Sequence, residues 1–287
     1  MKILTFGEAL IDMLPLDDTN LVYEKCPGGA PANVAVGIAK LGGAVTFMTK
    51  VGDDANGRFL IETCKAYGVD TTLMLTTSDA HTGMAFVTLE QGERSFDFIV
   101  EPSADQLMTA ADVATAEVHF NDVAIFHYGS LSCIEESTKQ ATIAAIKQAK
   151  AQGALISYDP NLRLNLWPDA ATARRVIVEI WYYADIVKIS EEEQAFLGEL
   201  PLCDMLVITQ GAQGCTVQTN EQTLHVPGVK AAVVDTTGAG DAFVAAMLQG
   251  FVEQRPLQVI FERANKAGAM AVARKGAMTG LPMAHEL

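Results

Sequence analysis

Short apolar runs alternate with amphipathic stretches along most of this chain, and that rhythm limits the folds open to it more than any other feature. Strand-like runs fall at Ile3–Phe6, Val45–Thr49, Val123–Phe126, Leu155–Tyr158, Ile186–Ile189 and Met205–Ile208. Between them the spacing predicts helices near Pro31–Leu41, Asn56–Tyr67, Glu136–Ala151, Ala170–Tyr183 and Glu191–Leu197. Strands that lack polar alternation are buried on both faces, and the interleaved helices supply the cover. The expected architecture is α/β, with a mostly parallel central sheet covered by helices on both faces.

One region departs from the rhythm. Thr82–Leu89 and Ser95–Val100 are rich in β-formers, with Gln91-Gly92-Glu93-Arg94 reading as a hairpin turn between them. Leu10–Pro15 and Leu21–Tyr23 also read as extended. Together they predict a small β-sheet lid, inserted from about 12–26 and 80–101 into a single domain spanning 1–287. Arg94, Phe96 and Phe98 are the lid residues expected to shape the pocket beneath it.

Bulk properties narrow the partners. No apolar stretch approaches the roughly eighteen residues a membrane span needs, and the apolar run at Met1–Phe6 is too short for a signal peptide. Five scattered cysteines fit the reduced thiols of a cytoplasmic protein. A net charge of −15 argues against nucleic acid. An acidic chain that binds phosphate must do so locally, through backbone amides, a few cations and a metal.

The segment Asp235-Thr236-Thr237-Gly238-Ala239-Gly240-Asp241 offers such a place, because the apolar run Ala242–Leu248 follows at once. A helix beginning near Ala242 would aim unpaired N–H groups into the Gly238-Ala239-Gly240 turn and make an anion pocket. Asp241 in that pocket reads as the acceptor of a proton from an attacking hydroxyl, which is phosphoryl-transfer chemistry. The helix end is expected to favour its ionised form. No glycine precedes Lys-Ser or Lys-Thr, which excludes a P-loop, and no dinucleotide fingerprint follows a strand.

Other constellations lie nearby in type. In Pro27-Gly28-Gly29-Ala30-Pro31-Ala32-Asn33 the glycine pair permits close approach to a ligand, and the Asn33 amide suits sugar hydroxyls. A tight turn with Asn33 as a helix-end residue fits equally well. Asp12, in Gly7-Glu8-Ala9-Leu10-Ile11-Asp12 beyond the first strand, suits a polyol or else a solvated turn. Asp159 and Asn161 suit a Mg²⁺ shell or an active-site network, and Arg163 an anion or hydroxyl clamp. Thr209–Gly214 follows a strand and suits a nucleotide pocket. The five histidines show no metal-ligand spacing. Glu191-Glu192-Glu193 reads first as the acidic opening turn of a helix, with Glu193 organising metal-bound water as the sharper alternative.

Taken together these residues resemble the ribokinase-like, or PfkB, family of ATP-dependent sugar kinases over essentially the full length. Its two signatures stand here as Gly28–Ala35 and Asp235–Asp241. The first strand's Gly7–Asp12, the stretch Asp159–Arg163 with Trp167, and Lys275–Thr279 are most similar to bacterial fructokinases; aminoimidazole riboside kinases share much of this. The resemblance implies a ribokinase-like Rossmann-type core with a β-sheet lid used in homodimers, and transfer of the γ-phosphoryl of ATP to fructose. Riboside, ribose and 2-keto-3-deoxygluconate are the rival substrates; a sugar-binding sensor would not need Asp241. The resemblance further implies Asp241 as base and Gly238, Ala239 and Gly240 as anion hole. Asp12, Gly28, Gly29, Asn33 and Arg163 would face the sugar, and Lys188, Thr209, Gly211, Gly214 and Asn265 the ATP. Mg²⁺ would be served through water by Glu193, and K⁺ by a loop of Asp235, Thr237, Ala271, Gly276 and Gly280. The family's Asn-x-x-Glu appears as Ser190-Glu191-Glu192-Glu193, a departure at Ser190.

Overall fold

The structure, a computed structural model, describes residues 1–90, 93–98 and 102–287, the side chains of 89, 90 and 93–98 excepted. The chain opens with β1 (Lys2–Phe6), β2 (Leu10–Pro15), β3 (Tyr23–Gly28) and the first helix, α1 (Ala30–Lys40). It continues through β4 (Val45–Gly52), α2 (Ala55–Ala66), β5 (Met74–Thr77), β6 (Gly83–Glu90) and β7 (Glu93–Phe98). Strand and helix then alternate as α3 (Ala110–Thr115), β8 (Val123–Gly129), α4 (Glu136–Ala151), β9 (Leu155–Asp159) and α5 (Ala170–Trp181). After β10 (Ile186–Ser190), α6 (Glu191–Leu197) and β11 (Met205–Thr209) come β12 (Gly214–Thr219), β13 (Thr223–Pro227), α7 (Ala239–Val252) and α8 (Leu257–Val272).

The main sheet has nine strands in the order β13-β12-β11-β10-β9-β8-β1-β4-β5. Its run from β11 to β5 is parallel, and β12 and β13 extend it as an antiparallel edge. Alternate residues of a strand feed different cores, so each run reads as continuously apolar. Ile3 joins Val34, Phe47, Val244 and Phe261 on one face, while Leu4 and Phe6 join Phe126, Tyr128, Tyr158 and Trp181 on the other.

Helix α7 obeys no amphipathic period, because Ala242–Gly250 is buried without a break. Neighbouring helices come close enough to touch it: a Cβ on Gly37 of α1 would strike Ala245, and one on Gly250 would strike Ile260 of α8. A helix packed on every side carries no polar stripe.

The second sheet has four strands in the order β3-β2-β6-β7. Its first strand, Leu10–Pro15, is the extended run expected there, and its second is Tyr23–Gly28, where Leu21–Tyr23 was expected. Leu21 and Val22 instead stand exposed in the connection, and Tyr23 packs edge-on against Phe86 at 5.0 Å. The shift matters for the site, since pairing runs on to Leu10↔Gly28 and docks the glycine pair against β2. The predicted turn at 91–94 and the end of the run at 99–100 lie wholly or partly outside the described residues, as do the side chains of Arg94, Phe96 and Phe98. Among the described residues no helix is long and apolar enough to cross a membrane.

Candidate active site

Helix α7 starts at Ala239, not near Ala242 as predicted, so Asp241 lies within its first turn. Gly238 caps the helix at φ 78°, where a Cβ would come within 3.0 Å of the Ala277 backbone. A left-handed cap pressed against another chain segment accepts glycine and little else. The Ala239 N–H reaches Thr236 O only at 3.4 Å, and among the described residues those of Gly238, Gly240 and Asp241 find no backbone acceptor. These are the open donors of a helix N-terminus.

Helix α1 delivers the second half of the site. Gly29 precedes it at φ 104°, the Ala30 N–H donates to Glu8 Oε1 at 2.9 Å, and Asn33 follows one turn later. The Asn33 Nδ2 donates to Asp241 Oδ2 at 2.8 Å, joining residues 208 positions apart. Burial pushes the Asp241 carboxyl up to about 6; Asn33 opposes that rise, Asp159 adds to it, and Lys188 and Arg163 oppose it. The expected lowering of the Asp241 pKa by the helix end is therefore not what prevails: loss of water outweighs it and the pKa rises, with the carboxylate still the main form near pH 7.

Asp12, Gly29, Asn33, Arg163, Lys188, Gly238, Gly240 and Asp241 all line one cleft of about 380 Å³. Gly28 does not line it, but a Cβ there would collide with the Asp12 carboxylate. Burial pushes Asp12 up to about 6, while the Arg163 guanidinium pulls it down. Asn161 and Asn165 border the same cleft; no role had been read for Asn165.

Asp159, expected at a metal shell or an active-site network, pairs with Lys188, Oδ2 to Nζ at 2.9 Å, both buried. Burial works against the Lys188 charge, yet Asp159 and Glu193 hold its pKa above the ordinary lysine value. Lys188, read as an ATP residue, thus stands in the first cleft, its Nζ 3.3 Å from where a Gly240 Cβ would be. Both oxygens of Glu193 already accept backbone N–H groups, from Leu162 at 2.7 Å and Ser190 at 2.8 Å. Ser190 caps α6 and completes a capping box with Glu193, which gives the departure at Ser190 a local role. Holding a metal's water would fall to the second lone pairs of Glu193.

Thr209, Gly211, Gly214 and Asn265 line a second cleft of about 320 Å³. Asn265 also donates to the carbonyls of Val226 (3.1 Å) and Pro227 (3.2 Å), tying α8 to β13. Its apolar walls, Val229, Val233 and Phe243, escaped the sequence reading. For Val229 and Val233 the signal was a mostly apolar stretch, broken by Lys230, outside any periodic element at 229–234, while Phe243 belongs to the apolar run Ala242–Leu248. The two clefts share Thr236 and Gly240.

Behind the turn, buried Asp235 accepts from Thr237 N (3.0 Å) and Oγ1 (2.7 Å) and from Gly276 N (3.0 Å). Gly280 N donates to Gly276 O at 3.0 Å, and a Gly280 Cβ would lie 3.5 Å from Ala271 O. The five residues expected at a potassium loop are therefore gathered, with carbonyl oxygens and a shaping carboxylate. Such an oxygen donor set suits a monovalent cation. Among the described residues no cluster of His, Cys, Asp or Glu forms a protein cage for a metal, as suits a magnesium ion carried in by phosphates.

Residues 1–284 match the family described as pfkB family carbohydrate kinase. Fructokinase-1 of Zea mays is 42% identical, over 99% of this chain and 96% of its own length. A fructokinase from Xylella fastidiosa, solved with bound ATP, superposes with a TM-score of 0.89 at 36% identity, covering 99% of this chain and 96% of that one. A fructokinase from Vibrio cholerae O395, solved with fructose, ADP and calcium ion, gives 0.89 at 36% identity, with 98% and 96% covered.

Proposed function

We infer that this chain, which belongs to the pfkB family of carbohydrate kinases, transfers the γ-phosphoryl group of ATP to D-fructose and forms fructose 6-phosphate. Two clefts meeting at one helix N-terminus carry this reading: they share Thr236 and Gly240, and Asp241 borders the first. The polar cleft suits a sugar and the more apolar one an adenine nucleotide. A γ-phosphate at their junction would meet the open N–H groups of Gly238 and Gly240 and the Lys188 ammonium.

The phosphoryl group passes through a loose transition state, so placement and charge outweigh nucleophile strength. Asp241 takes the proton of the primary hydroxyl, late in the transfer, and Asn33 orients it. Each well-aimed N–H contributes roughly 3 kcal/mol against the developing charge, by analogy with oxyanion holes. Magnesium, when bound, neutralises the nucleotide phosphates, with Glu193 serving its water shell. Potassium would be held by Asp235, Thr237, Ala271, Gly276 and Gly280 behind the turn. The four-stranded sheet acts as a lid that excludes water. A homodimer through that sheet is part of the same proposal, supported by exposed Leu16, Leu21 and Val22, as is a cytoplasmic setting, supported by five free cysteines.

The test is a substrate panel with ATP. Fructose should give the highest kcat/KM among fructose, ribose, aminoimidazole riboside and 2-keto-3-deoxygluconate, with phosphate appearing on its C6 oxygen. A higher value for any other member would overturn the fructose assignment.

A further inference from the structure

Glu8 lines the sugar-side cleft, yet nothing above gives it a part in the chemistry. It is 6% exposed and stands just past β1. Its Oε1 accepts the Ala30 N–H at 2.9 Å, and a Cβ on Gly29 would run into the Glu8 carbonyl. One oxygen therefore pins the turn that presents Gly29 and Asn33. Its other oxygen, Oε2, is buried without a hydrogen-bond partner among the described residues. A buried carboxyl oxygen left alone is costly and calls for an occupant.

Two spaces border the side chain. One is the sugar cleft. Its alternative is a chamber of about 10 Å³, shared with Thr49, whose hydroxyl is also unpartnered. That chamber holds about one water. Charged groups around Glu8 are Asp105 and Glu135 on the chamber side and Asp12, Asp159, Arg163, Lys188 and Asp241 on the cleft side. Burial pushes the Glu8 carboxyl up to about 8; the Glu8 and Ala30 N–H groups oppose this, and Asp105 and Asp241 add to it. Burial thus favours the neutral carboxyl near pH 7.

We propose that Glu8 is a further sugar-binding and specificity residue, whose neutral carboxyl donates from Oε2 to a sugar oxygen while Oε1 holds the glycine turn. It gives the site a neutral donor on the β1 side, among carboxylates that can only accept. The assignment rests on the sugar-kinase reading, and using the best sugar of the panel keeps it separate from the choice of fructose.

The experiment compares the whole chain with Glu8→Gln and Glu8→Leu, measuring KM for sugar and ATP between about pH 6 and 9. Glu8→Leu should raise the sugar KM about tenfold, with the ATP KM moving less than about twofold. Glutamine keeps an acceptor for Ala30 and an N–H donor for the sugar, so it should recover most of that loss. The wild-type sugar KM should climb as pH passes through about 8, where the donor is lost, and the Gln variant should stay flat. A Glu8→Leu enzyme with lowered stability but unchanged sugar KM would assign Oε2 to a chamber water and overturn the proposal. So would a Gln variant that keeps the alkaline rise, a comparison that stands even where Glu8→Leu does not fold.

Discussion

Replacing Asp241 by asparagine should cost turnover and add stability, and the stability gain should depend on pH. In the folded chain burial takes this carboxyl from an ordinary 3.8 up to about 6. The displacement corresponds to about 3 kcal/mol where the group is ionised in both folded and unfolded chains. Its sign follows from proton affinity. The folded state binds the proton more tightly, so the stabilisation is complete below the unfolded value and is lost as pH rises through about 6. Asparagine never ionises and escapes that loss, while its amide oxygen still accepts from Asn33. Urea unfolding at about pH 4 should therefore find the two proteins close, and at about pH 8 the variant ahead by up to about 3 kcal/mol. Over the same range kcat should fall by roughly a hundredfold or more, with the ATP KM nearly unchanged. A stability difference that does not change with pH would refute the strained-carboxylate account. Near-normal turnover would refute the assignment of Asp241 as base.

Three further outcomes follow from neighbouring contacts. Asn33→Ala removes the N–H that favours ionised Asp241, so the acid limb of the kcat/KM profile should move above pH 6; an unmoved limb would disconnect the pair. Gly238→Ala forces a left-handed φ of 78° onto a Cβ that faces the Ala277 backbone. It should lose about 1–3 kcal/mol in denaturant unfolding and more than tenfold in kcat, and a neutral result would mean the cap is pliable. Lys40→Met removes an ammonium from the carbonyls of Met278 (3.0 Å), Thr279 (3.3 Å) and Leu281 (2.8 Å). It should cost about 2 kcal/mol and speed amide exchange at 276–281; unchanged exchange there would show that the loop holds itself.

Local pattern and tertiary geometry divided the work along a physical line. Gly29, Asn33 and Asp241 could be read from the chain because each stands where a helix begins, a place marked by small residues and apolar runs, and Asp12 because it follows closely on the first strand, although it lies within β2. The parallel core could be read because its strands carry no polar alternation. Helix α8 and the β12–β13 edge went unread; α8 has five Ala or Gly among its sixteen residues, and β12–β13 opens from a glycine turn. What no local pattern holds is which groups meet. Lys188 reaches the first cleft because β9 and β10 are neighbours, which sets its ammonium on Asp159. The protonation of the site has the same origin. The helix end alone favoured an ionised Asp241, and the upward shift comes first from the lost water and then from Asp159, both supplied by distant segments. A site with Glu8, Asp12, Asp159 and Asp241 around one small cleft cannot carry four full charges cheaply. Lys188 compensates one, and the rest rise in pKa, which makes a carboxylate basic enough to take a hydroxyl proton near neutral pH. Burial first, and the crowding of carboxylates second, would thus tune Asp241 for the part proposed for it.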